Sequence, residues 1–476
     1  MKILLINPPL ENLLTVGETA FTGKRGFFPS LGLLYVASYC ARHTEHQVNV
    51  IDASLENYGY PELSNALQQQ EYDVIGISTL TFSLFDSIKT TKLVKEIHPG
   101  VIIVWGGIHV TLYPEESINL KEVDFAVQGE GEITFVELLA NLNNRKKLRE
   151  VPGLLFKEDG NIINTGIRPP LDNLDILPFP ARQLTPYHRF YSVYRKTLAT
   201  TILSSRGCPF KCLFCIRSRY HSKLRQRSPH NVIEEIKSVV AQGIEEFHFY
   251  DDTFTLNRKH VLQFCRLIRK ENLHVTWSIM TRVDMIDSEM LQEMKQAGCF
   301  RIRYGVESGN DSILEILRKG TTVAQIRNAF NITKKAGIET VAYFIIGSPG
   351  EKLNHLRDTL ALARELNADF TNFSIMTVYP GTELYQRALA NKIIDRDLWR
   401  EYAIKPDRDF QLPLWEENFT RKELLKIQAK AYRIVYLRPQ YIIRKFGRIT
   451  SWKSIRELAH QGLRLVKFWA GPGRKG

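Results

Sequence analysis

No apolar run in this chain approaches the roughly 18 residues that a membrane-spanning helix needs, so nothing in the sequence reads as an integral membrane segment. The opening "MKILLINPPLE" carries one lysine and a short apolar run, Ile3 to Ile6, before its prolines. That reads as a first strand rather than a signal peptide. Cysteine is scarce, with 6 among 476 residues. Six are too few and too unevenly placed for a disulfide framework, and a reducing cytoplasm is the expected setting. No GxGxxG follows the first strand-like run, which argues against a dinucleotide site. There is no tandem repeat and no low-complexity segment. Acidic residues are nearly missing from the tail. From Arg433 onward only Glu457 is acidic against eleven Lys and Arg, so ten of the thirteen net positive charges lie there.

What is present is globular in composition, with 44% hydrophobic and 24% charged residues, in a chain long enough for two or three domains. Residues 1–145 alternate strand-like runs ("KILLINPP", "QVNVIDA", "DVIGISTLTFS", "VIIVWGGIHV") with helical ones ("LGLLYVASYCARH", "ITFVELLANL"). Such alternation predicts a doubly wound, Rossmann-like parallel sheet. Ligands bind such sheets beyond the carboxyl ends of the strands. Here those ends are small and polar: Ser78 and Thr79, Gly106, Gly107 and His109, Gly129 and Gly131. Residues 146–195 are proline-rich and read as an ordered connector. From 196 to 380 six strand candidates, from "TTILSS" to "FTNFSIM", alternate with helices. They predict a partial (β/α)6 TIM-type barrel whose function sits on the loops after its strands. Residues 381–476 read as a small helical, basic region.

Half of the cysteines cluster in "SSRGCPFKCLFCIRS", where Cys208, Cys212 and Cys215 stand at CxxxCxxC spacing in the loop after the first barrel strand. Thiolates at such spacing bind soft metals. A structural zinc site wants four ligands, usually as two separated pairs, and no second CxxC exists. An iron–sulfur cube normally takes four cysteines, so three would leave one iron open to a non-protein ligand. Cys40, Cys265 and Cys299 each stand alone in or beside helical runs, where a buried core role is expected.

"CPFKCLFC" resembles the cluster motif of the radical S-adenosylmethionine (SAM) superfamily, including the aromatic Phe214 directly before the third cysteine. The resemblance implies that Cys208, Cys212 and Cys215 bind a 4Fe-4S cluster. Its open iron would chelate SAM, which an electron then cleaves to a 5′-deoxyadenosyl radical. Phe214 would lie near the adenine. Asp251 and Asp252 in "YDDTF" resemble the family's contact to the SAM amino group, with helix capping as the competing reading for either Asp. Glu307 in "YGVESGN" resembles its acidic contact to SAM, and Gly347 in "FIIGSPGE" its adenine loop.

An open parallel sheet before such a barrel resembles the cobalamin-binding branch of the family. The features that match are "NPP", "PSLGLLYVASY", "ISTLTFS", "WGGIHVT" and "GEGE". The DxHxxG segment that supplies a cobalt-ligating histidine in many corrinoid proteins is absent from residues 1–145. Cobalamin held without a histidine ligand is therefore the implied state, and His109 reads more readily as a hydrogen-bonding residue than as a cobalt ligand. Methylthiotransferase relatives bring three further cysteines in this domain, and here only Cys40 is found.

In the tail, "SWKSIRELAHQGLRLVKFW" separates an apolar face edged by Trp452 and Trp469 from a basic one with Lys453, Arg456, Arg464 and Lys467. It reads equally as peripheral membrane contact or as a helix packed on the barrel. Nucleic acid ranks last as a partner. The expected activity is reductive SAM cleavage that methylates, cyclises or otherwise modifies an unactivated carbon of a small-molecule or lipid substrate. The resemblance also implies an electron donor such as flavodoxin or ferredoxin. An anaerobic oxidative cyclase of a tetrapyrrole, a tRNA-modifying enzyme and a scaffold with a vestigial site are the alternatives.

Overall fold

Apolar runs bounded by turn residues become the strands of two sheets. The computed structural model describes residues 1–16, 29–192, 197–217 and 222–446. The first sheet contains β1 (Lys2–Asn7), β2 (Gln47–Asp52), β3 (Val74–Ser78), β4 (Ile102–Gly106), β5 (Phe125–Val127), β6 (Leu154–Glu158) and β7 (Asn161–Asn164), in the order β2-β1-β3-β4-β5-β6-β7. β1 to β5 are parallel. Successive residues of β1 serve opposite faces, as a period of two requires. Ile3 and Leu5 pack with the helices Leu31–His43 and Gly131–Asn141, and Leu4 and Ile6 pack with Leu63, Leu84 and Val94 on the other side.

The expected connector from residue 146 is corrected in its first part. β6 pairs antiparallel with β5, and β7 antiparallel with β6, so the sheet runs on past 145. The hairpin turns at Asp159 and Gly160, both with positive φ (50° and 78°). Asp-Gly between short strands suits a type I′ turn. Beyond Asn164 the segment has three short 3-10 turns, Leu174–Ile176, Arg182–Leu184 and Tyr187–Arg189.

The second sheet contains β8 (Ala199–Ile202), β11 (Glu246–Phe249), β12 (Thr276–Thr281), β13 (Cys299–Glu307), β14 (Glu339–Ile346) and β15 (Phe370–Ile375) in simple succession. All neighbours are parallel. A two-stranded ribbon, β9 (Ser205–Arg206) with β10 (Arg225–Gln226), lies between the first two strands in sequence. The barrel stays open because the edge of β15 is covered, which removes an unpaired strand edge. From the helix Arg421–Tyr436, the Tyr436 hydroxyl donates to Thr371 O at 2.7 Å, and Gln428 Nε2 donates to Phe373 O at 2.7 Å. Cys40, Cys265 and Cys299 are buried in the two cores. No helix of the described residues is long and apolar enough to cross a membrane. The amphipathic stretch from Trp452 to Trp469 lies outside the described residues.

Candidate active site between the sheet rim and the barrel mouth

The carboxyl ends of both sheets face a shared cavity of about 410 Å³. From the first sheet it is lined by Gly76, Ser78, Gly106, Gly107, Gly129 and Gly131, and from the barrel by Ser205, Arg206, Arg217, Tyr250 and Asp252. Side chains are missing where the wall is tightest. A Cβ on Gly76 would sit 2.6 Å from Leu5 Cδ2, and one on Gly107 (φ +119°) would sit 2.7 Å from Thr79 O. Glycine is thus required at both positions by the close approach of neighbouring protein atoms, and the rim it leaves is low in side chains. No histidine lines it among the described residues.

His109 and Thr79 are not on this wall. His109 is buried, with Nδ1 3.3 Å from Thr81 Oγ1, and burial depresses its pKa to about 3. The structure places it in the packing beside Thr81 rather than on the cavity wall. Thr79 is buried too, and its amide donates to Gly106 O at 2.7 Å.

The cysteine loop borders the cavity at its far end. Arg217, two residues past Cys215, pairs with Asp252 at 3.2 Å. The backbone fixes the loop: Leu213 N donates to Leu317 O and Leu384 N donates to Leu213 O, both at 3.0 Å. Cys208, Cys212 and Cys215 are half-buried free thiols. Burial pushes the Cys212 and Cys215 thiols up, and the nearby charges of Lys319 and Arg282 pull Cys212 back down. Arg282 lies over the Phe210 ring at 3.7 Å and pairs with Asp284, yet its Nη1 is buried without a hydrogen-bond partner. An orphaned cationic donor beside the thiols fits an anionic metal–sulfur group there. Among the described residues no three or more His, Cys, Asp and Glu side chains converge to hold a single ion. A cube binds each thiolate to a different iron, so its ligands need not converge on one point.

The two aspartates part company. Asp251 is buried and accepts from Ser204 N, Ser204 Oγ and Ser205 Oγ (3.1, 2.9 and 2.5 Å). Burial raises its pKa to about 6 against those donors. It ties the end of β8 to that of β11 and is not on the cavity wall, which Asp252 is. Neither caps the following helix, because Asn257 does so by accepting from His260 N. Glu307 ends β13 with φ +64°, uncommon for a residue with a side chain, and accepts from Lys319 Nζ at 2.6 Å. Gly347 has φ +81°, and a Cβ there would meet Leu424 Cδ2 at 2.7 Å. Its amide donates to the buried Glu351 at 2.6 Å. Phe214 packs against the core that joins the two domains.

Sequence reasoning passed over the charges that tie the sheet rim to the β9–β10 ribbon. Glu130 accepts from Arg225 Nη2 at 2.6 Å and pairs with Arg206 at 3.3 Å, and Glu132 accepts from Arg206 Nη2 at 2.6 Å. The "GEGE" turn therefore offers glycines to the cavity and carboxylates to the barrel.

Two family models match: the radical SAM superfamily over residues 202–363 and the B12 binding domain over 24–139. An uncharacterized methyltransferase of Pyrococcus horikoshii is 35% identical over 93% of this chain and 94% of its own length. An anaerobic magnesium-protoporphyrin IX monomethyl ester cyclase of Rubrivivax gelatinosus is 28% identical over 93% of this chain and 78% of its own. Among solved structures, the radical SAM methyltransferase TsrM from Kitasatospora setae, with cobalamin and a 4Fe-4S cluster bound, superposes with a TM-score of 0.66 at 18% identity, covering 82% of this chain and 75% of that one. The cobalamin-dependent SAM radical enzyme OxsB superposes with a TM-score of 0.69 at 19% identity, covering 98% and 72%. With a relative this similar along nearly its whole length, and with both domain models matched in order, the chain belongs to the radical SAM superfamily, in the branch that carries a B12-binding domain ahead of the barrel.

Proposed function

We propose that this protein is a cobalamin-dependent radical SAM enzyme that methylates an unactivated carbon of a small molecule with an apolar body. The observation that carries the reading is the glycine-lined cavity shared by the rim of the first sheet and the barrel mouth, bordered by the end of the cysteine loop. Cys208, Cys212 and Cys215 would hold the 4Fe-4S cluster, and Ser78, Gly106, Gly107, Gly129 and Gly131 would floor the corrinoid site. When bound, the cofactors supply electron transfer, sulfonium cleavage and methyl transfer, and the protein aligns them and excludes water.

The chain's own residues have distinct tasks in this reading. Lys319 holds the Glu307 carboxylate in place at the end of β13, where it would receive the SAM amino group. Asp252, held by Arg217, stands between the cysteine loop and the cavity as a second contact. Gly347 lets the loop after β14 pass close to the helix Arg421–Tyr436, and Phe214 steadies the cysteine loop. An external one-electron donor of flavodoxin or ferredoxin type would reduce the cluster.

A tetrapyrrole cyclase is the second reading, favoured by the Rubrivivax gelatinosus relative. The test is anaerobic reconstitution with added hydroxocobalamin, then iron, sulfide and cobalt analysis of one sample. About four irons and one cobalt per chain are expected. Iron without cobalt removes the methyl-transfer reading, and no iron removes the radical SAM reading.

A further inference from the structure

Alternation along the barrel strands sorts side chains between the outer helices and the lumen. Phe247, Phe249, Trp277, Ile279, Ile302 and Tyr304 belong to the outer core. The residues between them, among them His248, Ser278, Met280 and Arg303, form the opposite face, with Met280 beside Arg303 in register. Tyr343 stands beside Gly305 on the next strand. His248 and Ser278 are buried, whereas Met280 is 40% and Tyr250 52% exposed, so this face opens toward its carboxyl end.

One charge on this face has no carboxylate in direct contact among the described residues. Every fully buried arginine among the described residues is ion-paired: Arg182 and Arg227 share Glu235, Arg225 holds Glu130, Arg282 holds Asp284 and Arg301 holds Glu339. Arg303 is half-buried and forms no ion pair with a carboxylate among the described residues. Its hydrogen bond runs from Nη2 to His248 Nδ1 at 3.3 Å. His248 is held below its ordinary pKa, first by burial, and so stays a neutral ring beside Arg303. The nearby Glu246 carboxylate is taken up by Ser192, Thr197 and His248 (2.6, 2.9 and 3.3 Å). Tyr250, close enough to feel the Arg303 charge and Tyr343, also lines the cavity.

We infer that Arg303 anchors a carboxylate of the substrate inside the barrel lumen, with the Tyr250 and Tyr343 hydroxyls beside it. The inference rests on the radical-enzyme reading and adds a substrate class to it: an apolar body that carries a carboxylate. A guanidinium presents a planar fork that matches a carboxylate in bidentate fashion. One cation with neutral phenols and a neutral imidazole suits a single negative charge, where a phosphate dianion would call for a second cation. Arg303 precedes Glu307 by four residues on β13, about 13 Å along the strand. The anchor would thus hold one end of the substrate on the barrel wall beside Tyr250, which lines the shared cavity, and leave the other toward the cofactor site.

The test titrates acid and methyl-ester pairs of three apolar carriers (protoporphyrin IX, indole-3-propionic acid and palmitic acid) into the reconstituted holoprotein, read by calorimetry. At least one acid should bind tenfold or more tighter than its ester. Arg303→Gln should erase that preference while keeping its iron, and Arg303→Lys should restore part of it. Equal binding of acid and ester in every pair, no binding by any acid, or a preference that survives Arg303→Gln overturns the inference. Those results with iron present would leave the radical-enzyme reading standing, whereas a protein without iron would remove both.

Discussion

Burial works against ionising the Cys212 and Cys215 thiols, so a metal that binds them must displace protons to do so. Each thiol removed then takes away one corner of the site. Cys208→Ala, Cys212→Ala and Cys215→Ala are each expected to drop bound iron from about four per chain to below one, by iron analysis after reconstitution, with the circular dichroism spectrum unchanged. His109 gives the opposite expectation. Its ring is packed beside Tyr113 and bonded to Thr81, away from the cavity wall. His109→Phe should lose about 1–3 kcal/mol of stability by stranding the buried Thr81 hydroxyl, yet still take up one cobalt per chain. Failure to retain cobalt would return His109 to the cofactor site. The contrast marks what a sequence discloses at this scale. Ligand spacing in "CPFKCLFC" is local and can be read directly. The places of His109 and Asp251 depend on which residues from other segments, Thr81 or Ser204 and Ser205, close over them.

The loop after β14 shows how an element carries a cost that its sequence hides. Glu351 is fully buried, accepts from Gly347 N and Ser348 N, and keeps Oε1 without a partner. Burial lifts its pKa to about 7 despite those two donors. A carboxyl with a raised folded pKa binds its proton more tightly in the folded chain. Its ionisation therefore weakens the fold as pH rises from about 4.5 through 7, by up to roughly 3 kcal/mol. Glu351→Gln keeps an acceptor for both amides and removes the charge. It should match the wild type in urea at pH 5 and exceed it at pH 8, and equal stability at both would show that the carboxylate is relieved some other way. The six barrel strands were legible because apolar residues recur at every second position along them and helical runs separate them. The β6–β7 hairpin was not, because its strands are short and partly polar. The covering of the β15 edge by Gln428, Tyr432 and Tyr436 was hidden for another reason: a helix pattern says nothing of which strand its hydroxyls will reach.

At the scale of the whole molecule the question is what keeps the two sheets facing one cavity. One tie is apolar: the core under the first sheet continues through Leu213 into Met376, Trp399 and Tyr402. The other is ionic: Glu130 and Glu132 from the first sheet's rim on Arg206 and Arg225 from the β9–β10 ribbon. Burial alone would raise the Glu130 pKa, but Arg225 and Arg206 overcome it and hold the carboxyl at about 2. A depressed folded pKa means that this tie is fully present above about pH 4.5 and is lost as pH falls toward 2. A depression of that size corresponds to roughly 3 kcal/mol for this mostly buried carboxylate. Glu130→Gln should therefore be less stable than the wild type at pH 7 and nearly equal to it at pH 2. Urea unfolding at intervals between those limits would trace the difference. The same substitution should weaken hydroxocobalamin retention at pH 7, because Glu130, Glu132 and Arg206 also line the cavity. If the two stability curves ran parallel across the acid range, Glu130 would be no tie, and the apolar core alone would have to hold the rim against the barrel.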